Sequence, residues 1–283
     1  MSNGMPSAAS APSAAQIWGM ANPAHSIQKA VAIVTFAEPI TSLTLRKVQD
    51  AVRPVAKAQG LLKEEPVSSV LFEMKPGAKP KAVSDDKVGT SFQNVQGENI
   101  SEAFNVTNDG LRFETSVYTR WVAFENKLRS LVQASLPITS MSAPIRQVTL
   151  EYTDFFYARI EGDQDVSYIL DRRSGLISPK VFARRAPFHC HNGWFEGYPG
   201  DPRFLVNVDI NVADANGPPG LRRSITIRTH EAEQIVDIFG PRATALSDAA
   251  QMMSCLDNLH RRLKDRLSDV LTRDARAMIS LGK

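Results

Sequence analysis

The chain has 283 residues, of which 43% are hydrophobic and 22% charged, and 33 basic residues against 30 acidic ones leave a net charge of +3. A chain this long buries a core without disulfide or metal staples, and the composition excludes disordered, collagen-like and disulfide-stapled proteins. The charge is too evenly balanced to argue for nucleic acid unless it is clustered.

Residues 1–26 open with Ser, Ala and Pro and hold neither Lys nor Arg. This start lacks the basic and apolar regions of a signal peptide and reads as a flexible arm. No run approaches the roughly 18 apolar residues of a membrane span, so a cytoplasmic, membrane-free setting is expected. Cys190 and Cys255 show no pairing pattern and read as small buried apolar residues in a reducing compartment.

Regular structure is expected from Ile27, in an N-terminal half over 27–158 and a strand-rich C-terminal half over 159–283. Ala30 to Ile40 is rich in β-branched residues, ends at Pro39, and predicts a strand. Leu45, Val48, Val52, Val55 and Ala56 share a helical face over 44–60, with Pro54 a kink and Gly60 a stop. Val67 to Met74 predicts a strand, Lys75 to Thr90 a loop, and Ser91 to Gln96 a further strand. Asn108-Asp109-Gly110 supplies the turn of a hairpin over 104–118.

The period then changes. Trp121, Phe124, Leu128, Leu131 and Val132 predict an amphipathic helix ending at Pro137, its aromatic start facing the core. Val148, Leu150, Tyr152, Asp154 and Phe156 alternate with Gln147, Thr149, Glu151 and Thr153 along a strand. Further strands are expected at 166–170, 178–183, 187–198, 204–212 and 221–230. Met252, Leu256, Leu259, Leu263, Leu267 and Val270 form the stripe of a long helix, and Thr272 caps a short one carrying Ala275 and Ile279. Strand runs with helices at their ends argue α+β, with mainly antiparallel curved sheet and possible relatedness of the two halves. The stripe is expected to pack on Val206, Val208, Ile210, Ile225 and Ile227, with Arg262 on the wet side.

Several of these residues resemble a sporadically distributed family of uncharacterised bacterial proteins. Trp121 and Phe124 match its Trp-x-x-Phe helix, and Leu150, Tyr152 and Asp154 match its Leu-x-Tyr-x-Asn strand. Leu256, Asp257, Leu259 and His260 match its late Leu-Asp-x-Leu-His helix. Gln147 and Glu151 stand where the family has arginines. The resemblance spans about Val31 to Ile279 and implies a bacterial accessory protein, associated with defence or mobile elements, with no catalytic residues attached.

The sharpest chemical motif is His189-Cys190-His191 followed by Glu196, similar to part of a cupin metal motif. Alternate strand residues share a face, so two imidazoles and a carboxylate could serve one divalent ion, with His230 a substitute third histidine. The glycine expected after the Glu and a second motif are missing. Asp209, Asn211, Asp214, Asn216 and Gly217 hint at calcium, but Ala213 and Pro218-Pro219 break the loop pattern. Phosphate-binding glycine loops and the Gly-x-Ser-x-Gly elbow are absent from the sequence.

Basic residues cluster at Arg172, Arg173, Lys180, Arg184 and Arg185, which could join Arg222, Arg223 and Arg228 in a basic sheet face. A second cluster, His260, Arg261, Arg262, Lys264 and Arg266, reads as a solvent face paired with Asp257, Asp265 and Asp269. The sequence therefore assigns no catalytic, cofactor or metal residues. It favours a non-enzymatic protein that binds another macromolecule, a protein partner or a second copy of itself. The alternatives are a metal module at His189, His191 and Glu196, and nucleic-acid binding through the arginine-bearing half.

Overall fold

The computed structural model describes residues 13–73, 81–161, 164–197, 202–217, 220–237, 240–241 and 248–281. In chain order the N-terminal part contains α1 (Ala14–Ile17), β1 (Trp18–Met20), β2 (Ile27–Phe36), α2 (Ser42–Ala58), β3 (Lys63–Glu73), β4 (Lys81–Gln96), β5 (Asn99–Thr107), β6 (Gly110–Thr115) and α3 (Trp121–Thr139). The C-terminal part contains β7 (Ile145–Ala158), a 3₁₀ turn (Val166–Tyr168), α4 (Pro179–Phe182), β8 (Phe188–Glu196), β9 (Arg203–Gly217) and β10 (Gly220–Gln234). A two-residue pair, β11 (Val236–Asp237) and β12 (Gly240–Pro241), precedes α5 (Ala249–Val270) and α6 (Arg273–Met278).

The fold is α+β. Ten strands form one open, antiparallel sheet in the order β3-β4-β5-β6-β2-β7-β10-β9-β8, with β1 paired to β7 in line with β2. Both parts follow one plan. A central strand comes first (β2 or β7), the chain crosses through a helix to the outer edge, and the next strands step back to the centre. A long helix, α3 or α5, then closes each part. The two central strands pair with each other, so both halves share the sheet.

Period-two sequence dictates which face is dry. Along β9, Phe204, Val206, Val208, Ile210 and Val212 are buried, and along β10 Ile225 and Ile227 join them. The α5 stripe of Met252, Leu256, Leu259, Leu263 and Leu267 is buried in the same two apolar clusters. Leu45, Val48, Val52 and Ala56 bury the face of α2, which the Thr41 side chain caps and Gly60, at φ 83°, closes.

Local expectations fail where tertiary pairing outweighs propensity. The arm expected over 1–26 holds regular structure from Ala14: Trp18 is fully buried, and β1 is held to β7. Residues 1–12 lie outside the described residues. So do 75–80 of the loop expected at 75–90 and Met74 of the strand before it, but from Lys81 onward the chain is strand β4. Its two neighbours β3 and β5 satisfy its backbone despite the polar sequence. The strand expected at 166–170 is a 3₁₀ turn capped by the Asp165 side chain, and that at 178–183 is helix α4 opened by Pro179. Helix α3 continues through Pro137 because Leu136 before it and Thr139 after it are both buried. Cys255 is buried as expected, whereas Cys190, on edge strand β8, is half-buried.

Candidate functional site

Between β1 and β2 the chain leaves the line of the sheet. Residues 21–26 bulge out, held by the Ala21 amide on the Phe155 carbonyl (3.1 Å) and the Phe155 amide on the Ser26 carbonyl (2.8 Å). This excursion brings His25 and Ser26 beside Tyr152 and Asp154 of β7, Thr229 of β10, Tyr118 before α3, and α5. Together they line a cavity of about 360 Å³, closed at another side by Ile279 to Leu281 after α6.

Asp154 lies on the dry face of β7 and is 1% exposed. The Ser26 hydroxyl donates to its Oδ1 at 2.6 Å, while Oδ2 is buried without a partner. Burial pushes this carboxyl up to about 7, against the opposing pull of the Ser26 hydrogen bond. His25 is also buried, and its Nε2 donates to the Tyr118 carbonyl at 3.0 Å. That bond fixes the tautomer and leaves Nδ1 as an acceptor without a partner. Burial lowers the His25 pKa, the Tyr118 carbonyl opposes the shift, and the Arg120 charge adds to it. The Thr229 hydroxyl is a third buried polar group without a partner.

The remaining wall is aromatic. His260 Nδ1 meets the Tyr152 hydroxyl at 2.9 Å, and its ring stacks on Trp121. Burial, helped by the nearby Lys264 charge, lowers the His260 pKa to about 4, so the ring is neutral near pH 7. The Trp121 indole N–H donates to Asp257 on α5 at 2.7 Å. Burial also raises the pKa of both tyrosines, Tyr118 to about 12 and Tyr152 well above its ordinary value.

Trp121, Tyr152, Asp154, Asp257 and His260, which carry the sequence signatures, therefore converge on one place. Trp121 is partly buried: it packs against the core, as helical spacing led one to expect, and also forms a wall of the cavity. His260 does not belong to a solvated basic face. The missed residues are His25, Ser26, Tyr118 and Thr229. One signal was visible: Asp154 is a carboxyl in an otherwise apolar alternating stripe, where an unpaired acid is costly.

The structure does not gather the expected metal ligands. His189 and His191 project from the exposed side of β8, and Glu196 from the opposite, helix-facing side, because an odd residue separation reverses the face. Glu196 instead accepts from Arg262 and Arg266 of α5 and from the Trp194 indole. His191 pairs with Asp209, and His230, on β10 two strands from β8, lies 3.5 Å from Glu151 of the adjacent β7. No group of three metal-ligating side chains is found among the described residues. Burial would raise the Glu151 pKa, but His230 and Arg228 outweigh it and hold the carboxyl at about 2.

The arginines expected to form a basic face are largely matched by carboxylates. Arg223 is buried on Asp214, Arg228 pairs with Glu151, Arg172 with Asp165 and Arg173 with Asp171. Arg262 is not on the wet side of α5. With Arg266 it clamps Glu231, a fully buried carboxylate of β10, and its guanidinium lies 3.9 Å over the Phe204 ring. These charges bind the helix to the sheet.

No family model and no curated protein matches the chain. Among solved structures it is similar to the crystal structure of the di-domain ARO/CYC StfQ from the steffimycin biosynthetic pathway. The similarity covers 89% of this chain and 98% of that one, at 10% identity and a TM-score of 0.18, too slight to carry an argument. Among the described residues no helix is long and apolar enough to cross a membrane.

Proposed function

We propose that this is a binding protein for a small organic ligand held in the cavity beneath α5. One observation carries the reading: the residues that line the cavity hold three buried polar atoms without protein partners, His25 Nδ1, Asp154 Oδ2 and Thr229 Oγ1. Buried polar groups are satisfied in almost all proteins, and those left open at a cavity are met by water or a ligand. A mostly apolar cavity of about 360 Å³ with a few convergent polar groups is what a small-molecule site requires.

The non-enzymatic binding role and bacterial, cytoplasmic setting expected from the sequence belong to the same proposal, with the ligand moved from a macromolecule to a small molecule. Native mass spectrometry of the full chain purified from a bacterial lysate tests it. The expected result is a bound small molecule that T229V and D154N both weaken. A molecule retained equally by both variants would refute the assignment of the site.

A second reading, catalysis, is favoured by one feature. Asp154, next to the neutral imidazole of His25, titrates in the range suited to a general acid or base. Release of an altered ligand by the wild type but not by D154N would select this reading.

A further inference from the structure

The cavity is electrically lopsided. Among the described residues Asp154 is the only acidic one in its wall, and it lies at the buried end with Ser26 and Thr229. Two basic residues, Arg120 and Lys264, line the solvent side; Arg120 is exposed and Lys264 half-buried. Elsewhere on this face of the sheet, guanidinium groups are matched: Arg262 and Arg266 by Glu231 and Glu196, Arg223 by Asp214. Among the described residues, Arg120 and Lys264 form no ion pair and no side-chain hydrogen bond. Both make their charge felt inside the site, since Arg120 acts on His25 and Lys264 on His260.

From this arrangement, and resting on the ligand-binding reading above, we infer that the ligand is a small organic anion whose carboxylate or phosphate head sits between Arg120 and Lys264 and whose ring or short apolar body enters beneath α5. The head would complete two cations that the protein leaves open, and charge-assisted hydrogen bonds from Arg and Lys suit both head groups. The body would lie against Trp121, Tyr118, Leu263 and Leu267, which supply flat and apolar wall. At the deep end, Asp154 and Thr229 offer hydrogen bonds to a polar substituent. A cationic ligand would meet two like charges on entry, and a neutral one would leave both cations unused.

Four probes of similar size and different charge test the inference: benzoate, phenyl phosphate, benzamide and benzylamine, each up to about 10 mM, the weak-binding range of a fragment. The full chain carries three tryptophans. Trp121 lines the cavity and Trp194 does not, so their indole N–H signals in an NMR titration separate binding in the cavity from binding elsewhere. Benzoate or phenyl phosphate should move the Trp121 signal and leave that of Trp194. Their binding should be about tenfold tighter than that of benzamide or benzylamine, the scale of one charged hydrogen bond. Which of the two anions binds more tightly separates a carboxylate ligand from a phosphate.

The variant R120A/K264A should lose that margin, R120E at the exposed position should lose it as well, and R261A, outside the cavity on the same helix, should keep it. Benzamide binding as tightly as the anions, or anion binding indifferent to R120A/K264A and R120E, overturns the inference and leaves the ligand-binding reading standing. A Trp121 signal unmoved by all four probes overturns both.

Discussion

The imidazole of His260 lies flat on the indole of Trp121, with ring centroids 4.4 Å apart and planes 6° from parallel. One turn earlier on α5, Asp257 accepts the hydrogen bond of the same indole. A single tryptophan at the start of α3 is thus held by two residues of α5, and the pair of helices forms one side of the cavity. Edge-on contact with Tyr152 completes the setting of His260.

That setting fixes how His260 titrates. Its side-chain NMR signals should show a midpoint near 4, well below the usual imidazole value. Because the folded-state value is depressed, the unfolded chain binds the proton more readily, and His260 costs stability as pH falls through about 6.5 towards 4. W121A, which uncovers the ring, should raise the midpoint. A wild-type midpoint at or above 6.5 would show that the ring is not desolvated.

Asp154 acts with the opposite sign. Its folded-state pKa, about 7, is above its ordinary value, so the folded chain holds the proton more tightly. Its destabilising effect is absent below about pH 4, grows towards pH 7, and is complete above it, at roughly 4 kcal/mol. D154N removes the ionisation while Ser26 can still donate to an amide oxygen. Chemical denaturation of both chains should therefore show D154N gaining on the wild type as pH rises from 5 to 8. Parallel stability curves would mean that Asp154 is ionised throughout.

Arg262→Ala should destabilise by about 2–4 kcal/mol, because Glu231 keeps only Arg266 while remaining fully buried. Exposed Arg261→Ala should stay within about 0.5 kcal/mol. Urea midpoints for the two variants decide the matter, and equal small losses would mean that Glu231 is satisfied without Arg262. Adding E231Q to the Arg262 variant should recover part of the loss, since it removes the stranded charge.

Leu263→Ala removes a fully packed side chain from the α5 stripe and should cost about 2–5 kcal/mol. Leu263 also lines the cavity, so the same variant should enlarge the site. A denaturation loss under about 1 kcal/mol would place the stripe against something other than this sheet.

Much of the architecture was legible because it depends on period alone. The alternation of Phe204 to Val212 identified a half-dry strand, the Asn108-Asp109-Gly110 turn identified the β5–β6 hairpin, and the Leu256 to Leu267 stripe identified the buried face of α5. Burial of an apolar side requires no knowledge of what covers it, so these readings survive without the partner element. The polar strand β4 and the polar side of α5 were misread for the converse reason. Lys81 to Thr90 is strand because of its neighbours, and Arg262 faces inward because a carboxylate waits on β10.

The site shows the same division more sharply. Sequence alone marked Trp121, Tyr152, Asp154, Asp257 and His260 as signatures, and composition excluded whole classes of protein. It could not place them together, because they belong to α3, β7 and α5, whose meeting depends on a sheet order running β2-β7-β10. Nor could it enrol His25, Ser26 and Thr229, which have no motif and gain their role from a six-residue bulge and an antiparallel register. Side-chain period is local and is written in the chain. Convergence of residues 25, 118, 154, 229 and 260 is a property of strand order and helix docking, which the whole core decides at once.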